Sequence, residues 1–130
     1  MSAGVAGNEE YQDDTSILAD TVLWRRIPPQ HFHKETNGKI RPASAAFDDH
    51  PNGTPMSVVI ASESTVEQVL AGHPDFALVK IFARDARDLG LGIRRMEILE
   101  QPGHAEIFGP KSKPIKRALA KASTWVVAPK

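Results

Sequence analysis

Two residues near the C-terminal end of the chain have the types and spacing of an acid–base pair. The segment HAEIF, from His104 to Phe108, has the alternation of a β-strand, which places His104 and Glu106 on one face of it. Two strand residues separate these side chains by about 6 to 7 Å. A histidine titrates near neutral pH and a carboxylate can fix its tautomer. We therefore predict this pair as the catalytic residues if the chain is an enzyme; the alternative is the ordinary polar face of a sheet.

A basic helix follows this strand. The segment GPKSKP, at residues 109–114, brings together free backbone N–H groups, the positive end of a helix dipole and two lysines, of which Lys113 is the predicted anion contact. Lys121 lies at the far end of the helix. It returns toward His104 if the helix folds back along the strand, because twelve helical residues span about 18 Å. The alternative is a solvated basic face that keeps the helix soluble.

Adjacent arginines occupy the first predicted strand, TVLWRRI, at residues 21–27. Side chains alternate along a strand, so either Arg25 or Arg26 must point toward a covered face of the sheet. A guanidinium there needs an anion or carbonyl groups to offset its desolvation. That partner is either a ligand or a carboxylate of the chain itself, for which the candidates are Asp48, Asp49 and Glu97.

Several histidines lie near these aspartates and raise the question of a metal. His31 and His33 could supply two imidazoles from one strand face, and His50 with a carboxylate could complete a zinc site. However, they fall in a loop-rich stretch between prolines and lack the paired spacing of a metal motif. We therefore predict no metal site and no cofactor.

The composition excludes several classes of protein. Sixteen basic and sixteen acidic residues cancel, and the few aromatic residues are not interleaved with basic ones, so nucleic acid is an unlikely partner. The chain has no cysteine, which excludes disulfides, thiolate catalysis and cysteine-ligated metals. It also lacks the glycine-rich dinucleotide loop, the Walker loop and the G-x-S-x-G elbow.

The chain has the size and hydrophobic content of a single domain with one core: 130 residues, of which 41% are hydrophobic. Residues 1–16 are small, polar and acidic, and we expect a disordered tail there, followed by one domain over 17–130. No stretch approaches the roughly 18 apolar residues that a membrane span needs, and no signal peptide is evident. We expect a cytoplasmic protein without membrane contact.

Strand and helix patterns follow one another through this domain. Strands are predicted at TVLWRRI, MSVVIA, FALVKIFA, GIRRMEIL, HAEIFG and TWVVAPK, and Asn-Gly turns at ETNGK and HPNGTP. One helix is predicted at SESTVEQVLAG, with Ser64 and Glu67 as a capping box, and a second after Ser112. The pattern favours an α+β fold: one small domain with a mixed or antiparallel sheet of about five to six strands and two main helices packed on one face.

The order of these motifs is similar to that of ADP-ribosyltransferase-like and NAD-consuming toxin domains. An arginine lies in the first strand (LWRRI), an arginine and a phenylalanine follow (IRPASAAF), and a serine-bearing strand (MSVVIA) precedes a helix with a glutamate (STVEQVL). The resemblance implies that NAD would be contacted by Arg25 or Arg26, Arg41, Ser57 and Glu67.

The leading hypothesis from the sequence is a small cytoplasmic binding domain. Its Arg/Lys-lined surface would receive an anionic small molecule or an acidic protein segment, and the acidic tail is a candidate for masking that surface. The predicted ligand contacts are Arg25, Arg26, Arg41, Ser57, Lys113 and Lys121. The alternatives are an NAD- or nucleotide-handling enzyme of the layout above and a non-catalytic accessory or structural subunit. The sequence makes no prediction of oligomeric state.

Overall fold

Eight strands form two sheets in the computed structural model, which describes residues 11 to 129. The strands are β1 (Val22–Ile27), β2 (Phe32–Lys34), β3 (Ile40–Pro42), β4 (Met56–Ile60), β5 (Ala77–Phe82), β6 (Gly92–Arg95), β7 (His104–Phe108) and β8 (Thr124–Val127). Six of them form one antiparallel sheet in the order β6-β7-β4-β1-β5-β8, and β2 and β3 form a small second sheet. The predicted α+β fold of a single domain is confirmed.

Three α-helices and three short 3₁₀ turns complete the described part of the chain. The helices are α1 (Val66–Leu70), α2 (Ala83–Arg87) and α3 (Lys113–Ala122), and the turns are Pro29–His31, Ser44–Phe47 and Ala61–Glu63. None of the helices found between residues 11 and 129 is long and apolar enough to cross a bilayer.

The large sheet buries one face much more completely than the other. On the first face, here called the core face, Leu23 and Ile27 pack with Phe47 and with Leu119 of α3, all of them fully buried. On the opposite face, here called the α1 face, a smaller cluster is built around Val59, Leu78 and Val69. The α1 face takes its name from the short helix α1, which carries Val69. The helices of the domain therefore cover both faces unequally.

The strand register decides which side chains share the α1 face. On β1 and β4, Trp24 is opposite Val59. On β4 and β7, Val59 is opposite His104 and Ser57 is opposite Glu106. Because alternate residues point the same way, these five side chains lie on one face of the sheet.

The predicted turns and the first helix cap follow local backbone chemistry. The two Asn-Gly turns are confirmed, with Gly38 at φ 87° and Gly53 at φ 92°, where a side chain would be strained. Helix α1 is capped one residue later than predicted: the Oγ1 of Thr65 accepts the N–H of Gln68 at 3.1 Å. Ser64, the predicted cap, instead accepts a hydrogen bond from Gln101 Nε2 at 2.9 Å.

Part of the predicted acidic tail packs against the sheet. Asp13 accepts hydrogen bonds from the N–H of Ile93 at 2.9 Å and from Nε of Arg87 at 3.1 Å. The ring of Tyr11 lies 5.7 Å from that of Phe108. The prediction for residues 1–10 falls outside the described residues.

Candidate functional site

A cleft of about 590 Å³ opens on the α1 face of the sheet. Its floor includes Trp24 of β1, Ser57 of β4 and His104 of β7, so that three neighbouring strands contribute to it. One wall comes from α1 and the loop after it, including Phe76, and another from the loop before β7, including Gln101. The volume lies within the range of small-molecule sites in proteins.

Arg26 is the residue of the cleft that is best suited to bind an anion. It lies on β1, is exposed to solvent, and donates from Nη1 to the carbonyl oxygen of Val69 at 3.1 Å. No carboxylate between residues 11 and 129 forms an ion pair with it. Desolvation lowers the pKa of Arg26 from its usual value, which is the expected response of a cation that leaves water without a matching charge.

Four of the five histidines of the chain line this cleft. They are His31, His50, His73 and His104. Desolvation, and secondly the charge of Arg26, lower the pKa of His73, whose ring lies 4.6 Å from that of Phe76. The buried Nδ1 of His31 has no hydrogen-bond partner among residues 11–129. The sequence gives no signal that His73, Phe76 or Gln101 belong to a site, because only the folded loops bring them to the cleft.

His104 and Glu106 share a face as predicted, but they do not pair with each other. Glu106 is buried and its Oε1 accepts hydrogen bonds from Nε and Nη2 of Arg94 at 3.0 and 2.8 Å. Arg94 is directly opposite Glu106 in the register of β6 and β7. Nδ1 of His104 lies 2.8 Å from the carbonyl oxygen of Met96. Since a carbonyl only accepts, Nδ1 carries the proton and Nε2 holds the lone pair of the neutral ring.

The structure pairs a different histidine with a hydroxyl. Nε2 of His50 lies 2.9 Å from Oγ of Ser57, and both residues line the cleft. The sequence contained a signal for this pair, because the Asn-Gly turn between residues 50 and 57 reverses the chain. The spacing of a turn does not by itself show which side chains meet, and the sequence indicates His50 only as a candidate metal ligand.

Arg25, adjacent to Arg26, points to the core face and is satisfied by the backbone. It donates from Nε to Ala46 O at 3.0 Å, from Nη1 to Ser57 O at 2.7 Å and from Nη2 to Asp48 O at 3.4 Å. Burial, and secondly the charge of Arg26, lower its pKa to about 10, and the charges of Asp49 and Asp48 oppose the shift. The predicted inward arginine therefore has internal carbonyl partners.

The remaining predicted ligand contacts lie away from the cleft. Arg41 is on β3 and pairs with Glu35 at 3.4 Å. Lys113 and Lys121 lie in the first and last turns of α3. None of these three cations lines the cleft, whereas Arg25, Arg26, Ser57 and His104 do. The side chain of Lys111, in the GPKSKP segment, is only 3% exposed, and its Nζ lies 3.0 Å from Oδ1 of Asp49.

Neither a set of metal-binding side chains among the described residues nor a similarity to a known protein identifies the function of this site. Within residues 11–129, no group of three or more histidine, aspartate or glutamate side chains is arranged to hold a metal ion. No protein-family model, curated protein or solved structure matches the chain. Of the residues singled out by the resemblance to NAD-consuming domains, Glu67 and Arg41 do not line the cleft.

Proposed function

We propose that the protein is a small-molecule-binding domain and that an organic anion with a flat apolar part occupies the cleft of the α1 face. The observation that carries this proposal is Arg26, a partly desolvated guanidinium without an ion pair among residues 11–129. A planar guanidinium offers several N–H donors in a fixed geometry that matches carboxylate and phosphate oxygens. An anion at this position would supply the charge that the described part of the chain does not.

The shape and lining of the cleft support a ligand that is anionic at one end and apolar at the other. Trp24 and Phe76 offer aromatic surface, and Val59 and Val69 offer aliphatic surface. Sites for small organic molecules commonly combine such an apolar lining with a few polar groups that fix orientation. The ligand class is therefore an aromatic or heterocyclic carboxylate or phosphate.

The charges around the cleft favour an anion over a cation. The side chain of Arg26 lies on the face of the cleft, and the charge of Arg25 is close behind it on the core face. Glu100 is the acidic residue that lines the cleft among the residues the structure describes. We also propose that the protein acts in the cytoplasm, which its lack of cysteine supports.

A binding titration with matched charge-removing variants tests this proposal. The probes are inorganic phosphate, benzoate, a nucleoside monophosphate and NAD, and binding is followed by calorimetry and by the fluorescence of the tryptophans. We expect Arg26→Met to weaken binding of the aromatic anions at least about tenfold, or ~1.4 kcal/mol. Lys121→Met removes the same charge from α3 and should change the affinity less than about twofold.

The outcomes separate the candidate functions. Equal losses in the two variants would overturn the cleft as the site. If no probe binds, the accessory-subunit alternative is favoured, and one observation already supports it. The loop before β7 exposes Met96, Ile98 and Leu99, the last with 98% of its surface accessible, and exposed apolar groups of this kind mark protein contacts. Consumption of NAD during the titration would favour the enzyme alternative.

A further inference from the structure

We infer that Ser57 and His50 form a nucleophile and base for the hydrolysis of small carboxylic esters that enter this cleft. The inference goes beyond the proposed binding function, and it does not require that the ester carry a negative charge. It depends on the 2.9 Å contact between Oγ of Ser57 and Nε2 of His50, which is within hydrogen-bonding range for a serine and the imidazole that activates it.

The nucleophile lies on a rigid element. Ser57 belongs to β4, whose neighbours in the sheet are β1 and β7. Met56 and Val58, on either side of it, are buried in the core, so the hydroxyl of Ser57 must point to the α1 face. The carbonyl oxygen of Ser57 accepts a hydrogen bond from Nη1 of Arg25 at 2.7 Å. Sites on strands hold their side chains more accurately than sites on loops.

The base is held by a tight turn. The N–H of His50 donates to Thr54 O at 3.0 Å, and the N–H of Gly53 donates to His50 O at 2.9 Å. The carboxylate of the preceding residue, Asp49, accepts the N–H of Met56 at 3.0 Å. Although His50 is exposed, its backbone is therefore fixed with respect to β4.

A second imidazole faces the same space. His104 lies opposite Val59 on the neighbouring strand, which makes it a diagonal neighbour of Ser57, about 7 to 8 Å away between backbone positions. Its Nδ1 proton is directed to Met96 O, so Nε2 is the nitrogen left to exchange protons with a ligand in the cleft. With its lone pair, Nε2 of His104 can accept a hydrogen bond from a hydroxyl or a water molecule in the cleft.

The reaction balances with water as the co-reactant. Oγ of Ser57 bonds to the ester carbonyl carbon while its proton passes to Nε2 of His50. The bond between that carbon and the ester oxygen breaks, and the leaving alkoxide takes a proton from the imidazolium. Water then attacks the acyl-serine with Nε2 as base, which releases the carboxylic acid and restores the serine hydroxyl.

A purely structural hydrogen bond between loop and strand would look the same in the free protein, so the test uses a covalent readout. Folded protein is incubated with an aryl fluorophosphonate, and the modified residue is identified by peptide mass mapping. We expect an adduct on Ser57 in the wild type, none at that position in Ser57→Ala, and labelling at least about tenfold slower in His50→Gln. Ser62→Ala is the matched control, since Ser62 is exposed and does not line the cleft.

Two results would overturn the inference: no adduct on Ser57 in the folded wild type, or an unchanged labelling rate in His50→Gln. If Ser57→Ala fails to fold, the wild type and His50→Gln still decide the question, because the side chain of His50 is exposed. Hydrolysis of p-nitrophenyl acetate should follow the same order among the variants. Anion affinity is measured separately, so failure of the esterase inference leaves the proposed binding function standing.

Discussion

Arg25 and Arg26, adjacent on β1, have very different partners. On the core face, Arg25 donates to backbone carbonyls, and Lys111, in the segment before α3, likewise donates to carbonyls and also pairs with Asp49. On the α1 face, Arg26 makes one hydrogen bond to a carbonyl and no ion pair with residues 11–129. Arg25 and Lys111 thus have internal partners that hold the fold, and so does Arg94, which pairs with Glu106 on the α1 face. Arg26 differs from all three in having no charge partner among residues 11–129, and under the proposed function a ligand would supply it.

The alternation of one strand produces this difference. Arg25 and Arg26 are neighbours on β1, yet they point to opposite faces and meet different surroundings. Arg25 meets Ala46 and Asp48 at the turn before β4, where carbonyl groups surround it. Arg26 donates to a carbonyl of α1, a helix of only five residues, and remains exposed to solvent.

The largest expected effect lies in the core-face cluster. Phe47→Ala should lower the free energy of unfolding by about 3 to 5 kcal/mol, because Phe47 is fully buried against the sheet and its removal leaves a cavity. Urea denaturation followed by circular dichroism measures the change. A loss below about 1 kcal/mol would break the comparison, because the core face would then not be the main source of stability.

The next effect contrasts the two arginines directly. Arg25→Met should destabilise the fold by about 2 to 3 kcal/mol, since buried carbonyls lose a charged donor. Arg26→Met should change stability by less than about 0.5 kcal/mol. Both variants are measured by the same denaturation assay. Similar losses in the two would show that Arg26 is also a structural residue, which would contradict the proposed division of roles.

The smallest effect is electrostatic and concerns His73. Its pKa is lowered in the folded protein by desolvation and then by Arg26, so the unfolded chain binds the proton more readily. Stability should therefore fall slightly in the wild type, relative to His73→Gln, as the pH drops through the usual histidine value of about 6.5. In Arg26→Met, an NMR titration should show the pKa of His73 moving upward. An unmoved pKa would mean that Arg26 does not act on this ring.

Most of the fold could be predicted from the sequence because its signals are local. Six predicted strands, the two Asn-Gly turns and α3 all appear in the regions that alternation, turn residues and the apolar stripe indicated, although the strand predicted at GIRRMEIL ends at Arg95. The strand β2 was not predicted, since Phe32–Lys34 gains its strand geometry only by pairing with β3. The cap of α1 is Thr65 in place of Ser64, and the hydrogen bond that Ser64 accepts from Gln101 joins two distant loops, which a local pattern does not indicate.

The site was predictable only in part, because it depends on strand register and loop closure. Alternation correctly placed His104 and Glu106 on one face, but it could not show that Arg94 would lie opposite Glu106. The sequence also predicted that an inward arginine needs a partner. In the structure this arginine is Arg25, and its partners are backbone carbonyl groups. Backbone carbonyls occur at every position, so no sequence pattern marks which of them will be used.

The ion pair between Lys111 and Asp49 joins two distant segments of the chain. Asp49 immediately precedes His50, and Lys111 lies just before α3. The loop that carries His50, which lines the cleft, is thus held in place by the segment that leads into α3. A shift of α3 would therefore move the imidazole of His50 without any substitution among the residues that line the cleft.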